Sequence, residues 1–142
     1  MSKIDNLFLV SNMLVRIINN KWTKAFKELS ISPAHAKMLQ YINENPGAIQ
    51  KQIAKNLALE KSSVTKTLKF IEEREYVTKE LPTTGNLKER SIFITDKGKE
   101  LCKQIENIET HLNKELESIV PNNDLNKLKD ILSSLLNTSS TN

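Results

Sequence analysis

The feature that most constrains this chain is a pair of short amphipathic segments in its middle third. Residues 49–57 repeat apolar side chains at the i, i+4, i+5 and i+8 spacing of a two-turn helix. After a break at residues 58–60, residues 61–74 repeat the helical spacing over a longer stretch. Two short helices separated by about three residues are typical of a helix-turn-helix, and this pattern predicts one here.

The hydrophobic period then changes from that of a helix to that of a strand. Apolar and polar side chains alternate in residues 76–81, and residues 82–86 are typical of turns. Residues 91–95 are rich in β-branched and aromatic side chains. This succession predicts a β-hairpin with a polar tip. Thr95 can cap the helix that follows, and Asp96 in its first turn would interact favourably with the helix dipole.

Helices are predicted on both sides of this central region. Residues 4–28 carry a broad apolar stripe and predict one long helix. Ser32 is suited to cap a second helix, with Pro33 at its first position and an end at residues 45–47. The final third predicts a long helix that ends at Pro121 and a last helix capped by Asn122 or Asn123, with a frayed tail from Asn137. Its first helix carries a narrow apolar seam at Leu101, Ile105, Ile108, Leu112 and Leu116.

Composition narrows the classes of function. Three Gly and four Pro among 142 residues favour long helices, and no apolar run is long enough for a membrane span. With no secretory signal pattern, we expect a cytoplasmic protein. The sequence has no Gly-rich phosphate loop or nucleophile motif and no pair of metal ligands at helical spacing. We therefore predict no enzyme, no cofactor and no metal site.

Positive charge is concentrated toward the front of the chain. Lys and Arg outnumber Asp and Glu by six to three in residues 1–48 and by nine to six in residues 49–95. Residues 96–142 have six cations against eight carboxylates. A polyanion such as DNA would therefore be attracted to the first two thirds of the chain.

The helix predicted over residues 61–74 separates an apolar face from a polar and cationic one. At 100° per residue, Val64, Leu68 and Ile71 share one side. Such a polar face is also typical of any solvated helix, but the preceding helix and the following cationic hairpin favour DNA contact. The predicted contacts on the opposite side are Ser62, Ser63, Thr65, Lys66 and Lys69.

The order of elements, together with three motifs, resembles the MarR family of bacterial transcriptional regulators. The resemblance covers nearly the whole chain and includes the strand-to-helix junction ITDKG at residues 94–98. The motifs are LSISPAHAKMLQYI at 29–42, IAKNLALEKSSVTKTLKFIEEREYV at 53–77 and SIFITDKGKEL at 91–101.

The resemblance implies a mainly α fold with a small β-hairpin wing and a homodimer on double-stranded DNA. It divides the chain into an N-terminal dimerisation helix (1–30), a winged helix-turn-helix (31–97) and C-terminal dimerisation helices (98–142). The family's recognition contacts fall on the five residues of the 61–74 helix. The alternative is a helical, dimeric protein-interaction module whose winged helix no longer reads DNA.

The wing departs from the family pattern. An Asp-x-Arg element is usual there, and the matching positions hold Asn86 and Lys88, which leaves a cation without its orienting carboxylate. We include Lys88 and Arg90 among the predicted DNA contacts, because Arg90 offers a second cation near the tip. Glu75 stands where the family commonly has a turn Gly.

A small-molecule effector is a further implication of the resemblance, and it would release the regulator from DNA. The residues that could line its crevice are Trp22, Phe26, His35 and Met38, although aromatic and Met side chains at helical spacing are more often core. Cys102 could sense oxidants, but an inert, partly buried thiol is the simpler interpretation. The predicted function is that of a ligand-responsive repressor.

Overall fold

A computed structural model describes residues 6–81, 85 and 89–139. The described residues form helices and one hairpin in the predicted order, so the mainly α fold with a β-hairpin wing is confirmed. The chain divides into two compact units, residues 1–108 and 109–142. The elements are α1 (Leu7–Phe26), α2 (Pro33–Glu44), α3 (Gln50–Asn56), α4 (Lys61–Glu73), β1 (Val77–Glu80), β2 (Ser91–Ile94), α5 (Asp96–Glu117) and α6 (Asn122–Ser139).

Local capping sets where α2 and α5 begin. Ser32 Oγ accepts from the His35 N–H (3.3 Å), and His35 Nδ1 accepts from the Ser32 N–H (3.0 Å). These two bonds form a capping box at the start of α2, with Pro33 at its first position. Thr95 Oγ1 accepts from the Gly98 N–H (3.0 Å) at the start of α5. Both predicted caps are therefore confirmed.

The wing is an antiparallel hairpin with a third backbone segment beside it. Val77 pairs with Ile94 at the end next to the helices, and Glu80 pairs with Ser91 at the end nearest the tip. Ile92 also bonds to the connection between α2 and α3, donating to the Ala48 carbonyl and accepting from the Gly47 N–H (both 2.9 Å). This bridge was not predicted, and it fixes the hairpin against the helices.

The core of the first unit lies between the helix-turn-helix and the hairpin. Val64, Leu68 and Ile71 of α4 face it, together with Ile92 of β2 and Ile105 of α5. All five are at most 1% exposed. The apolar side chains of α4 were predicted from their periodicity to share one side of the helix, and the structure places them in the core.

Three element boundaries differ from the predictions. The first helix gives way to a 3₁₀ turn at Lys27–Leu29 instead of continuing to residue 28. Asn122 is already the first residue of α6, so neither Asn122 nor Asn123 is its cap. The carbonyl of Pro121 accepts the first two helical bonds instead. The predicted fraying from Asn137 is wrong, because α6 continues to Ser139.

Two helices carry apolar side chains on their surface. In α1, Leu7, Phe8 and Ile17 are 72%, 77% and 56% exposed. In α6, the exposed large apolar residues are Leu128, Ile131, Leu132, Leu135 and Leu136. In the part of the chain that the structure describes, no helix has the length and apolar content required to cross a membrane.

Candidate nucleic-acid interface

The helix α4 has one buried side and one exposed side. Val64, Leu68 and Ile71 anchor the helix in the core, so its orientation in the domain is fixed. The residues that the sequence singled out as DNA contacts all lie at the surface: Ser62, Ser63, Thr65, Lys66 and Lys69. An anchored helix that presents hydroxyl and ammonium groups can contact phosphate oxygens and base edges.

These five residues do not form one narrow row. At 100° per residue, Ser62, Lys66 and Lys69 fall within about 60° of one another on the helix circumference. Thr65 lies at one edge of this group, on the side that carries Lys61 and Glu72, whereas Ser63 lies at the other edge. The centre of the exposed face is therefore cationic, and Thr65 borders α3.

The Thr65 hydroxyl is already engaged within the protein. It donates to the Lys61 carbonyl oxygen (3.0 Å) and accepts from Gln50 Nε2 of α3 (3.2 Å). Gln50 is not among the residues predicted for this site from the sequence. Its position at the start of the first helix of a helix-turn-helix is the signal that points to it, because that end lies next to the second helix.

A groove of about 850 Å³ opens between α3, α4 and the hairpin. Its floor is apolar, with Ile49, Ala54, Val64 and Ile92. Four cations and two carboxylates surround this floor, so its rim has a net positive charge. The charged residues of the rim are Lys51, Lys61, Lys79, Arg90, Glu72 and Glu89.

The hairpin supplies Arg90 to the rim of this groove. Arg90 is exposed and directly precedes β2, so it lies beside the helix-turn-helix. Lys79 Nζ lies 3.6 Å from Glu72 Oε2 and links β1 to α4. The predicted contact at Lys88 and the substituted position Asn86 fall outside the described residues.

On the other flank of α4, an aromatic stack connects the helix to α2. The rings of His35 and Phe70 are parallel within 5°, with centroids 3.6 Å apart. The Arg74 guanidinium carbon also lies 3.6 Å from the Phe70 centroid. Two groups at this distance cannot share one face of a ring, so His35 and Arg74 cover opposite faces. Burial, and then the positive charge of Arg74, lower the pKa of His35.

The other predicted effector-lining residues belong mostly to the core. Phe26 and Met38 are 1% and 0% exposed, and Trp22 is half-buried against the same cluster. His35 is half-buried in the stack with Phe70. The structure therefore brings Phe26, Met38 and Trp22 to one cluster of the first unit, and of these three residues Trp22 alone is more than 1% exposed.

The end of α4 is joined tightly to the start of α5. Glu75 adopts a left-handed conformation (φ 64°), and its carbonyl accepts from Thr95 Oγ1 (2.7 Å). Lys97 Nζ donates to the Arg74 carbonyl (2.8 Å) and so satisfies an acceptor at the end of α4. Gly98 packs so closely on the Tyr76 carbonyl that a Cβ there would overlap the oxygen. The ITDKG junction thus fixes the direction in which α4 ends.

The Cys102 thiol is buried. Its side chain is 7% exposed, and burial, with a smaller effect from Glu44, raises its pKa to about 11. A thiol with such a pKa is protonated near neutral pH, and the protonated form is a poor nucleophile. Among the described residues, no cluster of three or more His, Cys, Asp or Glu side chains could hold a metal ion.

Comparison with known families gives a match over the helix-turn-helix. Residues 29–85 match the model of the MarR family. An uncharacterized HTH-type transcriptional regulator of Bacillus subtilis, YybA, is 29% identical over 89 residues. The aligned region is 63% of this chain and 59% of YybA, so the chain spans about three fifths of this relative.

Solved structures have the same fold over nearly the whole chain. The transcriptional regulator SlyA has a TM-score of 0.83 and 24% identity, with 96% of this chain and 95% of SlyA covered. The repressor CouR bound to a 23-mer DNA duplex has a TM-score of 0.87 and 16% identity, with 93% of each chain covered. CouR from Rhodococcus jostii RHA1 bound to p-coumaroyl-CoA has a TM-score of 0.82 and 18% identity, over 95% and 94%.

Proposed function

We propose that this chain is a homodimeric transcriptional regulator of the MarR family that binds specific DNA sequences. The observation that carries the proposal is the exposed face of α4. Its buried side holds the helix rigidly, and its exposed side presents Lys66 and Lys69 with the Ser62 hydroxyl. Such a helix fits the major groove of B-DNA, where side chains reach both phosphates and base edges.

The hairpin extends this surface toward the neighbouring minor groove or backbone. Arg90 lies on the cationic rim next to α4, and Lys88 adds a second cation in the same segment of the sequence. Ser63 and Thr65, at the two edges of the α4 face, are assigned to contacts in the major groove. We assign Arg90 and Lys88 of the hairpin to phosphate or minor-groove contacts. Without the orienting carboxylate at position 86, these contacts should contribute charge more than shape recognition.

The exposed apolar residues of α1 and α6 support a dimer. Large apolar patches on the surface of a helical protein mark interaction sites, and a second copy of the chain is the partner that the family implies. We propose that residues 1–30 and 98–142 form the dimerisation regions. In addition, α5 completes the core of the winged helix, because Leu101, Cys102 and Ile105 pack into it.

We further propose that a small molecule regulates the protein as a repressor. CouR, a structural relative, has been solved both with DNA and with p-coumaroyl-CoA, which supports this expectation for the family. In this chain Trp22 and His35 are the predicted effector residues that retain exposed surface. Phe26 and Met38 would take part only if the core around them opened. We propose no catalytic role.

Selection of DNA from a randomised duplex library tests the DNA-binding proposal. Sequences retained by the protein should share two inverted half-sites, with centres about 10 base pairs apart or a multiple of that spacing. A library that remains random after several rounds at low salt would contradict the proposal. That result would favour the alternative, a dimeric protein-interaction module whose winged helix no longer reads DNA. Comparing pull-downs with the wild type and with the Lys66→Ala variant would then show whether the exposed face of α4 binds protein.

A further inference from the structure

The hydrogen bonds of Thr65 restrict what this residue can offer to DNA. A threonine hydroxyl has one proton to donate and two lone pairs to accept. The proton of Thr65 is used by the Lys61 carbonyl (3.0 Å), and one lone pair is used by Gln50 Nε2 (3.2 Å). Thr65 therefore has no proton left for an acceptor on a base, such as guanine O6 or N7.

The same bonds fix the orientation of Gln50. Because the Thr65 proton points to Lys61, only an N–H of the Gln50 amide can face the Thr65 oxygen. If the amide were turned over, the Thr65 hydroxyl would rotate away from the Lys61 carbonyl and donate to Gln50 Oε1, so its proton would still be used within the protein. Gln50 is half-buried in the wall of the groove between α3 and α4, so packing as well as hydrogen bonding holds it.

With its oxygen turned toward α3 and its own helix, Thr65 still has an exposed side chain. The remaining group is the γ-methyl, at the edge of the α4 face that carries Lys66 and Lys69. In the major groove, the apolar counterpart of a threonine methyl is the C5-methyl group of thymine. The charged neighbours contact phosphates and give no such discrimination.

We propose that Gln50 is a positioning residue that holds Thr65 so that its methyl group reads a thymine. The inference rests on the proposed DNA-binding function. Gln50 acts through Thr65, and Thr65 makes the contact with the base. The hydroxyl has a structural role in the protein and donates no hydrogen bond to DNA.

The test removes one methyl group from the DNA and, separately, one methyl group from Thr65. Each thymine of the selected half-site is replaced in turn by deoxyuridine, which lacks only the C5-methyl, and affinity is measured for the full-length protein. One position should lose about fourfold in affinity for the wild type, the effect of roughly one buried methyl group. Thr65→Ser, which keeps the hydroxyl but lacks the methyl, should bind thymine and deoxyuridine equally at that position.

Thr65→Val is the matched variant, since it keeps the methyl and loses the hydroxyl. Valine has one strongly preferred rotamer in a helix, so its shape is held without Gln50. Thr65→Val should therefore retain the preference for thymine. Gln50→Ala should reduce the preference in the wild type, and it should have no further effect in the Thr65→Val background. A circular dichroism spectrum of each variant checks folding.

The outcomes separate the inference from the proposed function. If the wild type selects no DNA sequence, the proposed function fails before the methyl scan begins. If it selects a sequence but no deoxyuridine position distinguishes Thr65→Ser from the wild type, the inference is wrong and the function stands. Equal loss of the thymine preference in Thr65→Val and Thr65→Ser would also overturn it, because the hydroxyl would then be the group that reads the base.

Discussion

Lys66 gives the DNA-binding proposal a direct test at the scale of one residue. Its side chain is exposed on α4 and lies between Ser62 and the edge of the apolar face. We expect Lys66→Ala to weaken binding to all DNA sequences by a similar factor. The slope of log K against log salt should become less negative by about 1.8, because each of the two subunits of the bound dimer loses one phosphate contact.

Lys114→Ala in α5 is the matched control, because Lys114 is an exposed lysine on the side of α5 opposite its apolar seam. Its affinity and salt slope should equal those of the wild type. Anisotropy titrations of labelled duplex at several salt concentrations measure both quantities. An unchanged slope in Lys66→Ala would remove Lys66 from the phosphate contacts.

His35 should make stability depend on pH. Its pKa in the folded protein is lowered from 6.5 by burial and by Arg74, so the unfolded chain binds the proton more tightly. The free energy of unfolding is therefore undiminished above pH 6.5, and it falls as the pH drops through the lowered pKa. Protonation also removes the Nδ1 acceptor that bonds the Ser32 N–H.

Urea denaturation at fixed protein concentration between pH 7.5 and 5 measures this loss. His35→Gln should flatten the pH dependence, whereas His111→Gln, which changes an exposed histidine of α5, should leave it as in the wild type. If wild type and His35→Gln lose the same stability over this range, His35 does not carry the effect.

At the scale of the element, the turn after α4 contains a residue with an unfavourable backbone conformation. Glu75 has φ 64°, a left-handed value that costs an L-residue with a side chain about 1–2 kcal/mol. Glycine adopts it freely but gains more entropy on unfolding. We expect Glu75→Gly to raise the free energy of unfolding by about 0.5–1 kcal/mol, as measured by urea denaturation.

Glu73→Gly is the control variant for this prediction. Glu73 is exposed in the last turn of α4, where the backbone is helical and glycine has no conformational advantage. Its stability should fall by up to about 1 kcal/mol. A loss of stability in Glu75→Gly comparable to that in Glu73→Gly would mean that the Glu75 side chain, and not its backbone, matters at this turn.

Boundaries set by local chemistry could be predicted from the sequence. Ser32 and Pro33 predict the start of α2, and Thr95 predicts the start of α5, because helix capping acts within the first turn of the helix. The inward side of α4 followed from its spacing alone. The mainly α fold and the hairpin were predictable for the same reason.

Contacts between distant segments could not be predicted in this way. The bridge between Ala48 and Ile92 joins backbones that no hydrophobic period relates. The hydrogen bond between Gln50 and Thr65 depends on how α3 packs against α4. The stack of His35 on Phe70 depends on how α2 packs against α4. The exposed face of α4 could thus be predicted from the sequence. The contacts that hold α4 on its two flanks, to Gln50 of α3 and to His35 of α2, could not.

At the scale of the whole molecule, the proposed regulator consists of two copies of the chain. Leu132 is 56% exposed in the middle of the apolar residues of α6. We expect Leu132→Lys to weaken the dimer, because it places a charge in an apolar interface. Sedimentation should give the monomer mass, and affinity for a duplex with two half-sites should fall on the order of 100-fold as bivalent binding is lost.

Ser133→Lys adds the same charge at the neighbouring exposed position of α6, away from the apolar stripe. This variant should remain dimeric and bind DNA as the wild type does. Dimers of unchanged stability in Leu132→Lys would place the interface elsewhere and would leave the exposed apolar residues of α6 without a partner.

The proposed regulator must read a DNA sequence through its winged helix. The most direct measurement is a gel shift with the DNA upstream of the protein's own coding sequence, at low salt and with unlabelled competitor. We predict a retarded complex that persists in excess unrelated duplex, is displaced by the unlabelled upstream DNA, and weakens as salt rises. Absence of a complex at every salt concentration, or equal displacement by both competitors, would contradict the claim.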